Sequence, residues 1–369
     1  SDSKICRNEN GETNINKIDK VKRNIKKQKK IDGIKEKNNN ISSEINKKTG
    51  KEKEGKNRTE VCCLSSLNLE KYDEWKNDKN FIKDIMRFLD NVLTDFIEKA
   101  PEEFSDAAYS ALRERSVGLG VMGLHSYFQQ KMIPIESVMS KVWNKKIFEH
   151  IQEEVDQASK DLAEERGPCP DAADYGINER FSNKTAIAPT ASISIICGGT
   201  SPGIEPIAAN SFTHKTLSGS FNVKNKYLQQ ILEKYNKNDD ETWSGITTNQ
   251  GSVSHLDFLT QKEKNVFKTA FEINQQWIIE LGADRTPNIS QAQSINIFIP
   301  ADVHKKELHQ IHFQAWKKGL KSLYYCRSKS IQRAENINNG SSTDVKLNVY
   351  KSKTEKSDEI EYEECLSCQ

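Results

Sequence analysis

Residues 294 to 326 carry the pattern that most restricts how this chain can fold. Ser294 to Ile299 is a short apolar run, Lys306 to Leu320 has apolar residues at helical spacing, and Lys321 to Cys326 again favours a strand. A strand, a helix of fitting length and a second strand form a right-handed parallel crossover. The sequence therefore predicts an α/β fold, in which functional groups lie at the carboxyl ends of the strands.

A stretch of small residues follows another predicted strand, which ends near Ala188. Pro189 stops that strand, and Thr190-Ala191-Ser192 and later glycines open a turn. Small residues at the end of a strand leave N–H groups and hydroxyls pointing one way, which suits an anion such as phosphate. An ordinary loop of Ser, Thr and Gly is the alternative, since short motifs also match by chance.

A literal G-x-G-x-x-G stands at Gly118-Leu119-Gly120-Val121-Met122-Gly123. We reject a dinucleotide-binding function for it, because no apolar strand precedes it and no acidic residue follows about 20 positions later. The expectation for residues 118–123 is a helix packed closely through its glycines.

Apolar spacing and breaker residues predict the remaining elements of the body. Helices are expected over Phe81–Ala100, Phe104–Arg113, Val138–Arg166 and Lys264–Leu281. Residues 208–222 are expected to be a polar rim of the active site rather than a packed element, and residues 235–256 to be a loop or a peripheral segment.

Charge is spread unevenly along the 369 residues. Residues 1–58 hold 18 Lys and Arg against 9 Asp and Glu, although the net charge of the whole chain is only +2. This segment has no Leu and no aromatic residue, so we predict a mostly mobile, Lys/Asn-rich arm or insertion. A nucleic-acid-binding arm is the alternative, and the absence of aromatics that stack on bases favours the solvated arm.

No apolar run approaches the roughly 18 residues of a membrane span, and no signal core is present, so a soluble, cytoplasmic protein without a membrane partner is expected. Residues 335–369 are predicted to be a flexible tail that ends in Cys365-Leu366-Ser367-Cys368-Gln369. A mobile dithiol that exchanges with another disulfide fits this ending better than half of a zinc site.

Four features, in chain order, together resemble the C-terminal part of the large subunit of a class I ribonucleotide reductase. They are Val61-Cys62-Cys63-Leu64-Ser65-Ser66-Leu67-Asn68-Leu69, the turn at Pro189 with Gly203-Ile204-Glu205-Pro206, Leu323-Tyr324-Tyr325, and the Cys365/Cys368 tail. The resemblance covers residues 59 to 369. It implies that residues 59–334 form half of a ten-stranded α/β barrel, and that the activity is the radical-based reduction of ribonucleoside diphosphates to deoxyribonucleotides.

The resemblance also implies roles for individual residues. The segment that cradles the substrate phosphates corresponds to Pro189, Thr190, Ala191, Ser192 and Ile193. Tyr324 and Tyr325 correspond to the pair that relays an oxidising equivalent. Cys62 corresponds to one of two thiols that reduce the sugar, and Cys365 and Cys368 to the dithiol that re-reduces them. Glu205 and His214 lie near this site in sequence, with a structural role at least as plausible.

The implied partners follow from the same family. No metal ligand and no directly bound cofactor are expected, because a metal-containing small subunit supplies the radical. The other partners are the nucleoside diphosphate, thioredoxin or glutaredoxin, and an N-terminal half of the large subunit. Cys6 does not stand in the family's Asn-x-Cys-x-Glu pattern, so the chain is expected to act only as a C-terminal piece. The alternative is a non-catalytic remnant or interaction fragment that retains the fold.

Overall fold

A computed structural model describes residues 57–61, 63–216, 219–300 and 302–328. From Arg58 onward these residues belong to one compact unit. The predicted arm is outside the described residues except at its last two positions, and the predicted tail is wholly outside them. The predictions for Cys6, Cys62, Cys365 and Cys368 fall outside the described residues as well, and they stay predictions.

The strands are β1 (Cys63–Asn68), β2 (Val117–Met122), β3 (Ser211–Thr216), β4 (Gly219–Lys224), β5 (Ile297–Ile299) and β6 (Cys326–Ser328). Five extended segments run parallel and lie side by side in the order of the chain. β1 pairs with β2, Leu119 of β2 bridges Thr185, Ile187 bridges Gln293 just before β5, and β5 pairs with β6. The predicted α/β class and the parallel crossover between β5 and β6 are confirmed.

β2 lies inside this arrangement, and all six of its residues are buried. A Cβ atom on Gly120 would come within 2.2 Å of the carbonyl oxygen of Ala186, so only glycine permits this approach of the two backbones. The expectation that residues 118–123 form a helix is therefore wrong. A strand buried on both faces lacks the alternation by which strands are recognised in sequence.

The α-helices are α1 (Tyr72–Trp75), α2 (Phe81–Lys99), α3 (Ser105–Glu114), α4 (Leu124–Gln130), α5 (Val138–Arg166), α6 (Pro170–Asp174), α7 (Ile193–Ile196), α8 (Lys226–Lys234), α9 (Asp240–Thr248), α10 (Gln261–Val266), α11 (Gln275–Arg285) and α12 (Lys305–Lys317). α5 packs against both α2 and α11, and together with the strands they enclose the larger apolar core. None of the helices in the described ranges combines the length and apolar content needed to cross a membrane.

A smaller apolar cluster lies where the sequence suggested irregular structure. Residues 208–222 contain β3 and most of β4, which form an antiparallel hairpin, so the expectation of a rim without regular elements is wrong. The predicted loop at 235–256 contains α9, whose Trp243 and Ile246 are buried against α8. These helices present only a narrow apolar stripe, which their polar residues obscure in the sequence.

Two of the predicted helices differ from the observed ones, one in its bounds and the other in the side that is buried. The helix expected over Lys264–Leu281 is divided, because α10 ends at Val266 and α11 begins at Gln275. α12 is present, but Phe313 and Trp316, which have apolar spacing, are 49% and 74% exposed. The apolar residues of α12 cover more than one face, so their spacing alone does not identify the buried side.

Asp90 of α2 is a fully buried charge at the amino ends of the parallel segments. Its carboxylate accepts hydrogen bonds from Arg115, Arg166 and Arg180 at 2.7, 2.8 and 2.9 Å. Burial alone would raise the pKa of Asp90, but the hydrogen bonds and charges of the arginines outweigh it and lower that pKa. The resulting stabilisation is present above the ordinary pKa of 3.8 and is lost as the pH falls through the lowered value.

We predict that Asp90→Ala lowers the free energy of unfolding by about 3–5 kcal/mol at pH 7, because it leaves buried guanidinium groups without their counter-charge. Urea unfolding of the chain measures this loss. The matched control is Asp95→Ala on the same helix, which removes an exposed ion pair with Lys99 and should cost less than about 1 kcal/mol. Equal losses for the two variants would contradict this account of Asp90.

Candidate active site

The predicted phosphate turn begins where the third parallel segment ends. Thr190 adopts the left-handed backbone conformation, with φ of 53°, and reverses the chain after Pro189. Its hydroxyl accepts a 2.6 Å hydrogen bond from the N–H of Gly203, which ties the start of the turn to its far side. Ser192 then precedes the single helical turn of α7.

Four consecutive backbone N–H groups of this turn are available to a ligand. Within the described part of the chain, the N–H groups of Thr190, Ala191, Ser192 and Ile193 donate to no other group. Ser192 is exposed and its side chain caps no backbone N–H. Neutral donors in an exposed turn are suited to bind an oxyanion.

Residues at the carboxyl ends of two neighbouring strands, β1 and β2, hold the turn in place. After β1, the side chain of Asn68 donates to the carbonyl of Cys197 at 3.4 Å, and Glu70 binds Lys226, which donates to the carbonyl of Gly198 at 3.1 Å. After β2, the N–H of Gly123 donates to the carbonyl of Ser201 at 2.7 Å. The turn is thus fixed at the edge of the sheet where α/β proteins place their sites.

Tyr324 and Tyr325 form the second feature of the candidate site. Their ring centroids are 4.2 Å apart with the ring planes tilted by 54°, and the side chains are 39% and 48% exposed. The sequence suggested that they end a strand, which is wrong, since they precede β6. They nevertheless lie toward the carboxyl ends of the other segments. Tyr324 donates to Ile295, on the segment whose Gln293 bridges Ile187 just before Pro189.

The backbone at this pair has the geometry of a β-bulge. The N–H of Tyr324 donates to the carbonyl of Ile295, and the carbonyl of Tyr325 accepts from the N–H of Ile297, both at 2.9 Å. Two residues on one strand therefore oppose one residue, Asn296, on the other. Neighbouring side chains of a regular strand point to opposite faces, so this irregularity explains how two adjacent rings can lie against each other.

Asn296 and Glu205 connect the bulge to the phosphate turn. The Oδ1 atom of Asn296 accepts from the N–H of Tyr325 at 3.1 Å, and its Nδ2 atom donates to Glu205 at 2.5 Å. Burial raises the pKa of Glu205, an effect opposed by the hydrogen bond from Asn296 and by the charge of Arg327. The guanidinium of Arg327 lies 5.7 Å from the ring centroid of Tyr325.

The structure thus brings together two of the predicted groups, the turn at 189–193 and the tyrosine pair. It does not describe Cys62, Cys365 and Cys368, so their approach to this edge stays a prediction. Nothing is described of the side chain of His214. Among the other cysteines, Cys169 is fully buried, and burial raises the pKa of its thiol.

Sequence reasoning missed Asn296 and gave Glu205 no specific role. Asn296 is a lone amide inside the apolar run Ile295-Asn296-Ile297-Phe298-Ile299 and is only 2% exposed. A buried polar side chain requires hydrogen-bond partners, and that requirement was the signal available in the sequence. Its partners were not predictable, because they lie in Glu205 and Tyr325, far away along the chain.

Comparison with known proteins assigns the family. The family model described as "Ribonucleotide reductase, barrel domain" matches residues 6–175 and 171–326. The chain is 52% identical over 284 residues to the ribonucleoside-diphosphate reductase large subunit of Invertebrate iridescent virus 6, and 42% identical over 342 residues to that of Invertebrate iridescent virus 3. These alignments include 76% and 92% of this chain.

A solved structure is similar as well. The class Id ribonucleotide reductase alpha subunit of Actinobacillus ureae aligns with a TM-score of 0.68 and 38% identity, over 74% of this chain and 51% of that one. The chain spans 29% and 53% of the length of the two viral relatives. Because the family model covers most of the sequence and the relatives and the solved structure agree with it, this chain belongs to the ribonucleotide reductases and matches part of their large subunit.

Proposed function

We propose that this chain is the C-terminal part of the catalytic barrel of a class I large subunit. Joined to the preceding half and to a small subunit, it reduces ribonucleoside diphosphates to deoxyribonucleotides. The observation that carries the proposal is the placement of the available N–H groups and two adjacent phenols at one edge of a single parallel sheet. Either feature alone is common, and here the side chains of Glu205 and Asn296 connect them.

The turn is proposed to hold the substrate by its phosphates. The N–H groups of Ala191, Ser192 and Ile193 and the hydroxyl of Ser192 are the donors. Hydrogen bonds to an ionised oxygen are about twice as strong as those between neutral groups. Pro189, which has no N–H, shapes the turn. Thr190 adds its own N–H and hydroxyl to the donors, since that hydroxyl accepts from Gly203 and keeps its proton.

The tyrosine pair is proposed to carry the oxidising equivalent into the site. A phenol can lose an electron and a proton together, and a phenylalanine ring in the same place cannot. The small subunit, which holds the metal, supplies the oxidant, and the partial exposure of both rings leaves them accessible from a partner surface. In this scheme the chain itself needs no metal ligand or bound cofactor.

The reducing electrons are proposed to come from thiols. Cys62 and a second thiol in the preceding half become a disulfide while the ribose hydroxyl leaves as water. Cys365 and Cys368 then exchange with that disulfide, which restores the two thiols and leaves the tail oxidised. Thioredoxin or glutaredoxin reduces the tail for the next turnover.

A half-barrel accounts for the surfaces that the described residues leave open. Five parallel segments are half of ten, with β1 and β6 as the outer strands, and all three residues of β6 are exposed. On the helical side Phe88, Val92 and Leu112 are exposed as well. Open strand edges and exposed apolar side chains mark a surface that another chain or segment covers.

The function is tested by producing this chain together with the preceding half and the small subunit of a relative, and measuring nucleoside diphosphate reduction. We predict that Tyr325→Phe abolishes reduction while diphosphate binding persists, because only the relay is lost. Tyr175→Phe, at a side chain that is 73% exposed, is the control and should be as active as the wild type. Assembly without reduction under any condition would instead support the non-catalytic remnant.

A second prediction concerns the turn. Ser192→Ala should raise the KM for the diphosphate about tenfold, since a hydrogen bond to a charged group contributes roughly 1.5 kcal/mol or more. Steady-state kinetics of the assembled enzyme measure this change. Ser182→Ala, at another exposed serine, is the matched control with an expected KM equal to that of the wild type. An unchanged KM for Ser192→Ala would exclude the hydroxyl of Ser192 from phosphate binding.

A further inference from the structure

We propose that Asn296 is the positioning residue of the tyrosine pair, and that its bond to Glu205 sets the pair relative to the phosphate turn. The inference rests on the proposed function and adds two residues to it. Neither residue contacts the reacting atoms. They act through the backbone of Tyr325 and through the turn.

The first step concerns the bulge. Because Tyr324 takes the ladder acceptor on Ile295, the N–H of Tyr325 needs another acceptor, and the side chain of Asn296 supplies it at 3.1 Å. A hydrogen bond of this kind contributes roughly 0.5–1.5 kcal/mol. Asn296 therefore stabilises the backbone conformation in which the rings of Tyr324 and Tyr325 lie 4.2 Å apart.

The second step concerns the other end of the same side chain. The amide nitrogen of Asn296 donates to Glu205, which is separated only by Ile204 from Gly203. Gly203 in turn donates to the hydroxyl of Thr190 at the start of the phosphate turn. A short series of hydrogen bonds and one peptide segment thus joins the turn to the backbone of Tyr325.

Burial and hydrogen bonding restrict the side chain of Asn296. Asn296 is 2% exposed and both polar atoms of its side chain are bonded, so the amide has one orientation only. Displacing reacting groups by about 1 Å can lower a rate by about a hundredfold. A change that breaks the bond between Asn296 and Glu205 is expected to lower kcat in this way and to leave KM unchanged, because the N–H groups of the turn remain.

The experiment separates the two bonds of Asn296. N296D keeps an acceptor for Tyr325 but places a second carboxylate against Glu205. E205Q alone retains an acceptor for Asn296, and N296D/E205Q restores a hydrogen bond with donor and acceptor exchanged. In the assembled enzyme we expect E205Q to have a kcat near that of the wild type and N296D to have a kcat about a hundredfold lower. The double variant should recover most of this loss, and KM should be the same in all the variants.

A control variant measures the effect of burying a carboxylate at a site that does not contact the tyrosine pair. Asn210 is another amide, 1% exposed, whose side chain donates to Gly251 and Phe267 and not to the tyrosine pair. N210D should lower stability without lowering the kcat of the folded enzyme, and E205Q should not rescue its stability. A kcat for N296D equal to that of the wild type, or a double variant no better than N296D, would overturn the role of Glu205.

A second measurement needs no activity. In N296L the amide of Tyr325 should exchange its hydrogen with solvent about tenfold faster, the factor expected from the loss of one hydrogen bond. The amide of Tyr324, bonded to Ile295, is the internal control and should stay protected. If the wild-type assembly proved inactive, the proposed function would fail, and this exchange would still decide the positioning role. Unchanged exchange at Tyr325 would overturn it.

Discussion

Parallel pairing in the order of the chain is the constraint on which the site depends. Because every segment runs in the same direction, the residues that follow each strand meet at one edge, although they are distant in sequence. Asn68 and Pro189 reach the same side of the molecule in this way, and Asn296 lies at that level because Gln293 of its segment bridges Ile187. The close approach at Gly120 is part of this constraint, since any side chain there would separate β2 from the segment through Ala186.

The two ends of the parallel segments differ in how their polar groups are arranged. At the amino ends, the buried carboxylate of Asp90 binds three arginines in a cluster that holds helices to strands. At the carboxyl ends, the polar groups face outward or toward one another, and the turn offers backbone donors rather than charged side chains. An anion can therefore be bound and released there without leaving a buried charge unpaired.

Local pattern predicted the parts of the fold that are local. The helix predicted over Val138–Arg166, which is α5, and the crossover from β5 to β6 were both correct from sequence. β2 was not predicted correctly, because burial on both faces removes the alternation of apolar and polar residues. Its glycines permit the close approach of a neighbouring segment, and the sequence does not show which segment that is. The hairpin and α9 were missed because a small core cluster requires few apolar residues, and so few residues leave only a weak pattern in the sequence.

Contiguous motifs of the candidate site could be found in the sequence, and contacts between distant residues could not. The turn and the tyrosine pair are each adjacent residues, so their residue types suggested the chemistry that is proposed for them. Glu205 and Asn296 are 91 positions apart, and only folding joins them. The bulge likewise depends on register between two strands, which no single stretch of sequence specifies.

The central claim is that the turn and the phenols serve one substrate. A crystal structure of this chain assembled with the preceding half and a bound nucleoside diphosphate tests it most directly. The account predicts phosphate oxygens within hydrogen-bond distance of the N–H groups of Ala191, Ser192 and Ile193, with the sugar directed toward Tyr325. A diphosphate bound away from this turn, or a sugar directed away from the tyrosines, would contradict it.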